Sequence, residues 1–152
     1  MDFYLVRHGE AVSENVDPQR PLSPAGRNSV ERVARNAAGR NIQPSVIFHS
    51  GILRAKQTAE IVAAALASMP RVEPLRGLLP QDDPFIAKGD LESAQMPLIL
   101  VGHLPHVNRL AALLVHRDPE RRAIDFRPSM MACLSREADA WRISWTLAPE
   151  SL

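Results

Sequence analysis

The chain has few of the residues that build a disulfide framework or a membrane span. Cys133 is its single cysteine, so it can form no intrachain disulfide and no thiolate cluster for zinc. We expect Cys133 to be buried as a small apolar side chain. Apolar runs fall well short of the roughly 20 residues that cross a bilayer. Because Arg7 ends the first run, the N-terminus does not have a signal-peptide pattern, and we expect a cytoplasmic protein without a membrane partner.

An excess of one charge is also lacking. The 18 Lys and Arg residues against 17 Asp and Glu residues leave a formal net charge of +1. No overall field attracts nucleic acid or anionic membrane, so an anion site must depend on locally placed arginines. The apolar share of 45% is that of an ordinary globular protein and excludes extensive disorder. Surface scaling gives a folded area of about 7,600 Å², and we expect one domain over residues 1–152.

Apolar runs alternate with helical patterns along the chain, which predicts an α/β domain with a mainly parallel sheet flanked by helices. Ser23 and Pro24 form the clearest helix start, with a capping hydroxyl followed by a proline at the first helical position. We expect helices over 24–39, 53–66 and 85–94, and one from Pro105 onward. We expect strands over 3–6, 46–48, around Val72, and over 98–101, 124–126, 129–134 and 141–146.

Polar clusters follow three of these predicted strands. Arg7–Glu10 follows the first, His49–Gly51 follows the second with Arg54 opening the next helix, and Gly102-His103 precedes the Pro105 helix. Open parallel sheets bind ligands beyond the carboxyl ends of their strands. The pattern therefore predicts a site that gathers imidazoles, guanidiniums and a helix N-terminus.

Such a set suits phosphoryl chemistry. Guanidiniums and helix N-termini bind tetrahedral oxyanions, a neutral imidazole can attack phosphorus, and a protonated one can neutralise charge on the equatorial oxygens. A lone His or Arg at a strand end is more often structural or solvent-facing. The shared location of Arg7, His8, Arg54 and His103 is what argues for a site.

Other polar residues favour no site. His103 and His106 are spaced as two metal ligands could be, but no carboxylate or thiol motif completes the set, so we expect no metal. We expect His106, His116 and the charged segment Arg117–Arg122 to face solvent.

Four segments resemble the histidine phosphatase superfamily, which has the phosphoglycerate mutase-like fold. Residues 5–11 (LVRHGEA) resemble its RHG signature, and residues 21–26 (PLSPAG) resemble its "pLt..G" helix start. Residues 50–59 (SGILRAKQTA) resemble its "Spl.RA.qTA" segment, and residues 101–105 (VGHLP) resemble its "vgHnp" segment. The motifs occur in the family's order and cover residues 3 to about 115, which makes the match highly specific.

The resemblance implies a three-layer α/β/α fold and a site that needs no metal or organic cofactor. It implies that His8 is the nucleophile and forms a phosphohistidine intermediate. It further implies that Arg7, Arg54 and His103 bind the phosphoryl group and stabilise its transition state, with a backbone donor at Leu104. The residues alone predict the anion site but do not distinguish His8 from His103 as the nucleophile.

The stretch between Arg54 and Leu98 bears on the substrate. It leaves no room for the large helical lid that encloses small metabolites in longer family members. The chain is therefore most similar to the compact, SixA-like phosphohistidine phosphatases, whose open site suits a phosphorylated protein. Phosphohistidine is also an easy leaving group, since imidazole needs less help from an acid than an alkoxide does. We expect such an enzyme to work as a monomer.

Two positions depart from the family's pattern. Gly77 stands where a glutamate is usual; Asp82 or Asp83 could supply a proton instead, or both could lie in a solvated loop. His49 stands where a small residue is common, which would place an extra imidazole near the pocket, or only a structural histidine.

Two other functions remain open at this point. One is a phosphatase of small phosphomonoesters such as sugar phosphates or nucleotides. The other is a catalytically silent module that binds a phospho-ligand without releasing phosphate. A mutase is disfavoured, because it needs an enclosed site that reorients its intermediate.

Overall fold

The computed structural model describes residues 1–152 as one six-stranded sheet with helices on both faces. The strands are β1 (Asp2–Arg7), β2 (Val46–His49), β3 (Arg71–Pro74), β4 (Leu98–Gly102), β5 (Met131–Glu137) and β6 (Ala140–Leu147). The helices are α1 (Pro24–Gly39), α2 (Leu53–Ala65), α3 (Pro84–Ser93) and α4 (His106–His116), followed by a 3₁₀ turn at Pro149–Ser151. None of these helices is both long and apolar enough to span a bilayer.

The sheet has the strand order β3-β2-β4-β1-β5-β6. The pairings of β2 with β3, β2 with β4 and β1 with β4 are parallel, and β5 pairs antiparallel with β1 and with β6. The prediction of a mostly parallel central sheet is confirmed. The register pairs Arg7 with Gly102 and His49 with Val101, so the carboxyl ends of β1, β2 and β4 finish at one edge.

Each face of the sheet has its own apolar core. Side chains alternate along β1, so that Tyr4 and Val6 join the core under α1 and α2, whereas Phe3 and Leu5 join the core under α3 and α4. This burial on both faces explains the uninterrupted apolar run of the first strand. The accessible surface of 7583 Å² matches the value expected from chain length, and Cys133 is buried as predicted.

The start of α1 confirms the predicted cap. The Ser23 hydroxyl accepts a hydrogen bond from the Gly26 backbone N–H at 3.0 Å, and Pro24 occupies the first turn. Gly26 packs directly against the Glu10 carbonyl, and the Ser23 N–H donates to that carbonyl at 2.9 Å. The segment that follows His8 is thereby fastened to the first turn of α1.

The predicted strand over 124–126 is wrong. Ile124 and Phe126 are buried as apolar alternation suggested, but side chains in place of a neighbouring strand bond the backbone of Phe126. The Phe126 N–H donates to Asn108 Oδ1, and the Phe126 carbonyl accepts from Arg7 Nη1, both at 2.9 Å. The segment is an ordered, irregular loop beside the site.

The expectation that His106 faces solvent is also wrong. His106 is only 1% exposed, because the loop after β3 covers the N-terminus of α4. Burial lowers the pKa of its imidazole, while Asp82 and Asp83 in that loop oppose the shift. His116 is half-buried, and the arginines of the Arg117–Arg122 segment are exposed as expected.

Replacement of Gly26 by Ala tests the fastening of this loop to α1. A Cβ at Gly26 would overlap the Glu10 carbonyl, so we expect Gly26→Ala to lower the free energy of unfolding by about 1–3 kcal/mol. Gly89 lies exposed in α3 with nothing near its would-be Cβ, so Gly89→Ala should raise the free energy of unfolding by about 0.5–1 kcal/mol. Urea unfolding of both variants makes the comparison. Equal stability of Gly26→Ala and the wild type would contradict this packing.

Candidate active site

The parallel pairing of β1 with β4 brings the two predicted imidazoles together. The His8 N–H donates to the Gly102 carbonyl at 3.0 Å, and the ring centroids of His8 and His103 lie 4.9 Å apart at an interplanar angle of 56°. The Ser50 hydroxyl, just beyond β2, lies 2.6 Å from His103 Nε2. Three strand ends therefore meet at one place, as the sequence predicts.

The hydrogen bond of His8 determines which ring nitrogen is free. Nδ1 lies 2.7 Å from the Gly9 carbonyl oxygen. Because a carbonyl can only accept, Nδ1 carries the proton and Nε2 keeps its lone pair. The Gly9 peptide is itself fixed, since its N–H donates to Thr58 Oγ1 at 3.0 Å. His8 is held in the tautomer that a nucleophilic Nε2 requires.

The surroundings of His8 keep its ring uncharged. Burial lowers the pKa of His8 to about 4, the Gly9 carbonyl opposes the shift, and the charges of Arg54 and Arg7 add to it. The imidazole is therefore neutral at pH 7. His8 is partly exposed, and its Nε2 is not among the buried side-chain atoms that lack a partner, so the free nitrogen remains accessible.

His103 is also neutral in these surroundings. It is 2% exposed, and burial, with His8 and Arg54 nearby, lowers its pKa to about 3. The protonated second imidazole that the residue pattern suggested thus requires an anion at the site. A phosphoryl dianion would supply it, because a nearby opposite charge raises the pKa of an imidazole.

Unpartnered donors point to an anion. Buried polar atoms normally have hydrogen-bond partners, yet Arg7 Nε, Arg54 Nε and His103 Nδ1 have none. Burial lowers the pKa of both guanidiniums, and neither forms a salt bridge. The Leu104 backbone N–H has no backbone acceptor either. This half-buried positive cluster can bind a tetrahedral oxyanion.

The two aspartates considered as proton donors are hydrogen-bonded to backbone. Asp82 accepts from the Leu79 N–H at 2.9 Å, and Asp83 caps α3 by accepting from the Phe85 N–H at 3.0 Å. Neither carboxylate is among the groups whose charge affects the pKa of His8. Their role as proton donors stays a prediction, and the contacts seen are those of residues that shape the loop.

His49 faces away from the two imidazoles. It is buried, and its Nδ1 accepts from the Gly51 N–H at 3.0 Å. Burial lowers its pKa, and the nearest charges that act on it are Lys56 and Glu60 of α2. His49 therefore stabilises the turn between β2 and α2, which agrees with the alternative of a structural histidine.

Sequence reasoning missed Arg20. The segment 10–22 was expected to be a plain loop, yet the charge of Arg20 lowers the pKa of both His8 and Arg54. Its position directly before the Pro21-Leu22-Ser23 helix start is the only signal that could have found it.

The site is not part of the larger cavities of the molecule. Five cavities have volumes of 220 to 480 Å³, and none of these five is lined by Arg7, His8, Arg54 or His103. No group of three or more His, Cys, Asp or Glu side chains is placed to hold a metal ion. Arg7, His8 and Arg54 are partly exposed, whereas His103 is buried behind them.

Comparison with known proteins identifies the family. Residues 3–78 match the profile of the histidine phosphatase superfamily (branch 1). A protein of uncharacterised function from Picosynechococcus sp. is 35% identical over 119 residues, which cover 73% of this chain and 71% of that protein. The chain belongs to the histidine phosphatase superfamily and is a phosphatase.

Solved structures share the whole fold. The protein histidine phosphatase SixA, solved with tungstate, superposes with a TM-score of 0.88 at 25% identity and 99% coverage of both chains. A candidate phosphohistidine phosphatase SixA from Agrobacterium tumefaciens gives a TM-score of 0.76 at 25% identity and 97% coverage of both chains. The fold is the compact phosphoglycerate mutase-like one without a large insertion.

The tautomer and charge of His8 can be read directly by NMR. Because burial lowers its pKa to about 4, we expect its ring to stay neutral, with the proton on Nδ1, between about pH 5 and pH 8. Long-range ¹H–¹⁵N spectra of ring-labelled protein, assigned with His8→Ala, make the measurement. A His8 ring that titrates at its ordinary pKa would contradict the described environment.

The pH dependence of protein stability should follow the titration of His8 and His103. The folded pKa values of His8 and His103 lie below the ordinary 6.5, so below that pH the unfolded chain binds more protons than the folded one. Their contribution is fully present above about pH 6.5 and is lost as pH falls towards about 4 for His8 and about 3 for His103. We expect Tm to drop over this window, and to drop less in His8→Asn. An equal drop in His8→Asn would assign the loss to other groups.

Proposed function

We propose that this phosphatase removes the phosphoryl group from phosphohistidine in a protein, through a covalent intermediate on His8. The observation that carries the proposal is the state of His8, which is neutral, has a free Nε2 and is surrounded by cations. The likeness to the protein histidine phosphatase SixA supports the substrate class.

In the first step, the Nε2 lone pair of His8 attacks phosphorus while the P–N bond of the substrate breaks. When the other nitrogen of the substrate's ring carries a proton, the electrons of the P–N bond go to the ring and the substrate leaves as neutral imidazole. The His8 ring becomes cationic as the Nε2–P bond forms, and the Gly9 carbonyl bonded to Nδ1–H stabilises that charge. Arg7, Arg54 and His103, with the Leu104 N–H, stabilise the oxygens of the transferring group.

In the second step, water attacks the phosphorus bound to His8. The P–Nε2 bond breaks and its electrons return to Nε2, so that His8 is again the neutral tautomer. Inorganic phosphate forms and carries both protons of the water. The Arg7 guanidinium keeps its position because its Nη1 donates to the Phe126 carbonyl. No metal or organic cofactor takes part in either step.

The leaving group distinguishes the two substrate classes. Alkyl phosphate esters need an acid to protonate the departing oxygen, and the charges that act on His8 come from arginines alone, with no carboxylate among them. Phosphohistidine needs less of such help, since imidazole is a better leaving group than an alkoxide. The partial exposure of His8 is also compatible with a histidine on a protein as substrate. A phosphatase of small phosphomonoesters is therefore the second candidate, and a silent binding module the third.

Trapping of the phosphoenzyme tests the mechanism. We expect quenched-flow mixing with a phosphohistidine protein to place an acid-labile, base-stable label on the wild type and none on His8→Ala. His116→Ala, which removes a half-buried imidazole at the far end of α4, is the matched control and should label normally. Full turnover by His8→Ala would overturn the mechanism.

The donor panel ranks the substrates. We expect kcat/KM to be highest for the phosphohistidine protein, lower for an aryl phosphate and lowest for a sugar phosphate, in the order of leaving-group ability. A preference for sugar phosphates or nucleotides would favour the second candidate. Phosphate binding without label or phosphate release from any donor would favour the silent module.

Arg54→Ala tests the role of Arg54 both in phosphate binding and in the attack by His8. We expect the variant to bind inorganic phosphate about 10- to 100-fold more weakly, since charge-assisted hydrogen bonds are lost, and also to slow labelling of His8. Competitive inhibition by phosphate and the labelling rate measure the two effects. Unchanged inhibition would remove Arg54 from the phosphate site.

A further inference from the structure

The segment 10–22, here termed the strap, follows the end of β1 that carries His8 and is bonded to α2, which carries Arg54. Ala11 and Leu22 form a β-bridge, and the Val12 N–H donates to the Pro21 carbonyl at 2.9 Å. The Leu22 N–H donates to Gln57 Oε1 of α2 at 2.8 Å, one turn beyond Arg54. The end of the strap is therefore positioned relative to His8 on one side and to Arg54 on the other.

Arg20 lies near this end of the strap, and its guanidinium forms a hydrogen bond within the chain through one nitrogen only. Its Nε donates to the Val12 carbonyl at 3.0 Å, which orients the group, and neither Nη forms a hydrogen bond within the chain. No carboxylate forms a salt bridge with Arg20. The side chain is half-buried. Such an oriented but unpaired guanidinium is suited to bind an oxyanion.

The backbone at Arg20 is strained. Its φ of +49° lies in the left-handed region, which costs a non-glycine residue roughly 1 kcal/mol. The Arg20 N–H still donates to the Asp17 carbonyl at 2.9 Å, so the conformation is held by the strap. Strain that surrounding contacts maintain is common at ligand sites, and asparagine or glycine would meet the backbone requirement more easily.

The electrostatics connect Arg20 with the phosphate site. Its positive charge lowers the pKa of both His8 and Arg54, so Arg20 interacts electrostatically with two groups of the phosphate site. Repulsion between two half-buried guanidiniums is unfavourable until an anion compensates for it. The transferring phosphoryl group has three nonbridging oxygens, which leaves acceptors for a further guanidinium.

We propose that Arg20 is a third substrate-binding guanidinium, whose Nη groups contact the nonbridging oxygens of the phosphoryl group held between His8 and Arg54. The proposal rests on the proposed function for the identity of the substrate. It adds to that function a residue contributed by the strap, which lies outside the ends of β1 and β4 and the start of α2 that supply the other four groups.

Arg20→Asn is the most informative variant, because asparagine tolerates the left-handed backbone but has no charge. We expect inorganic phosphate and tungstate to inhibit it about 10- to 100-fold more weakly than the wild type, and kcat/KM to fall with them. The Tm should stay the same or rise. Arg20→Lys should recover part of the affinity, since it restores the charge but not the fork of donors.

Two controls make the outcome decisive. Arg35→Ala removes an exposed guanidinium of α1 and should leave inhibition by phosphate unchanged, whereas Arg54→Ala should weaken it. Unchanged phosphate inhibition in Arg20→Asn beside weakened inhibition in Arg54→Ala would overturn the proposal and leave the proposed function standing. Unchanged inhibition in both variants would overturn the site itself. A loss in Arg20→Asn accompanied by a lower Tm and no recovery in Arg20→Lys would assign Arg20 a structural role, which also overturns the proposal.

Discussion

The parallel pairing of β1 with β4 is the constraint on which the site depends. This register pairs Arg7 with Gly102 and lets the His8 N–H bond the Gly102 carbonyl, so the next residue of each strand presents an imidazole at the same level. A shift by one residue would turn one of the rings to the opposite face of the sheet. The apolar cores on both faces hold that register, because almost every side chain of the two strands is buried.

The second constraint is electrostatic. The fold buries two imidazoles beside the charges of Arg7 and Arg54, and the neutral state of His8 and His103 is the consequence, mainly of burial and further of these charges. A neutral His8 with a fixed tautomer is ready to attack phosphorus, whereas an imidazolium would not be. The repulsion that makes the cluster unfavourable by itself is also what favours an arriving phosphoryl dianion, so affinity and reactivity have the same physical origin.

Much of this arrangement follows from local patterns, and the exceptions have identifiable causes. The cap at Ser23, the doubly buried first strand and the meeting of Arg7, His8 and His103 were predicted from periodicity and from the position of polar residues after strands. The segment 124–126 was predicted as a strand because its alternation is real, but Asn108 and Arg7 bond its backbone. His106 was expected outside because nothing in its own helix shows that the loop of Asp82 and Asp83 covers it.

The sequence by itself determined the elements, the family and the residues at the strand ends, because periodicity, capping and motif order are properties of neighbours along the chain. Only the tertiary structure decided which ring nitrogen of His8 is free, that His49 lies under α2 and that the charge of Arg20 acts on His8 and Arg54. These outcomes depend on contacts between distant segments, such as the hydrogen bond from Gly9 to Thr58 and that from Leu22 to Gln57. No local pattern encodes those contacts, since each depends on how the helices pack against the sheet.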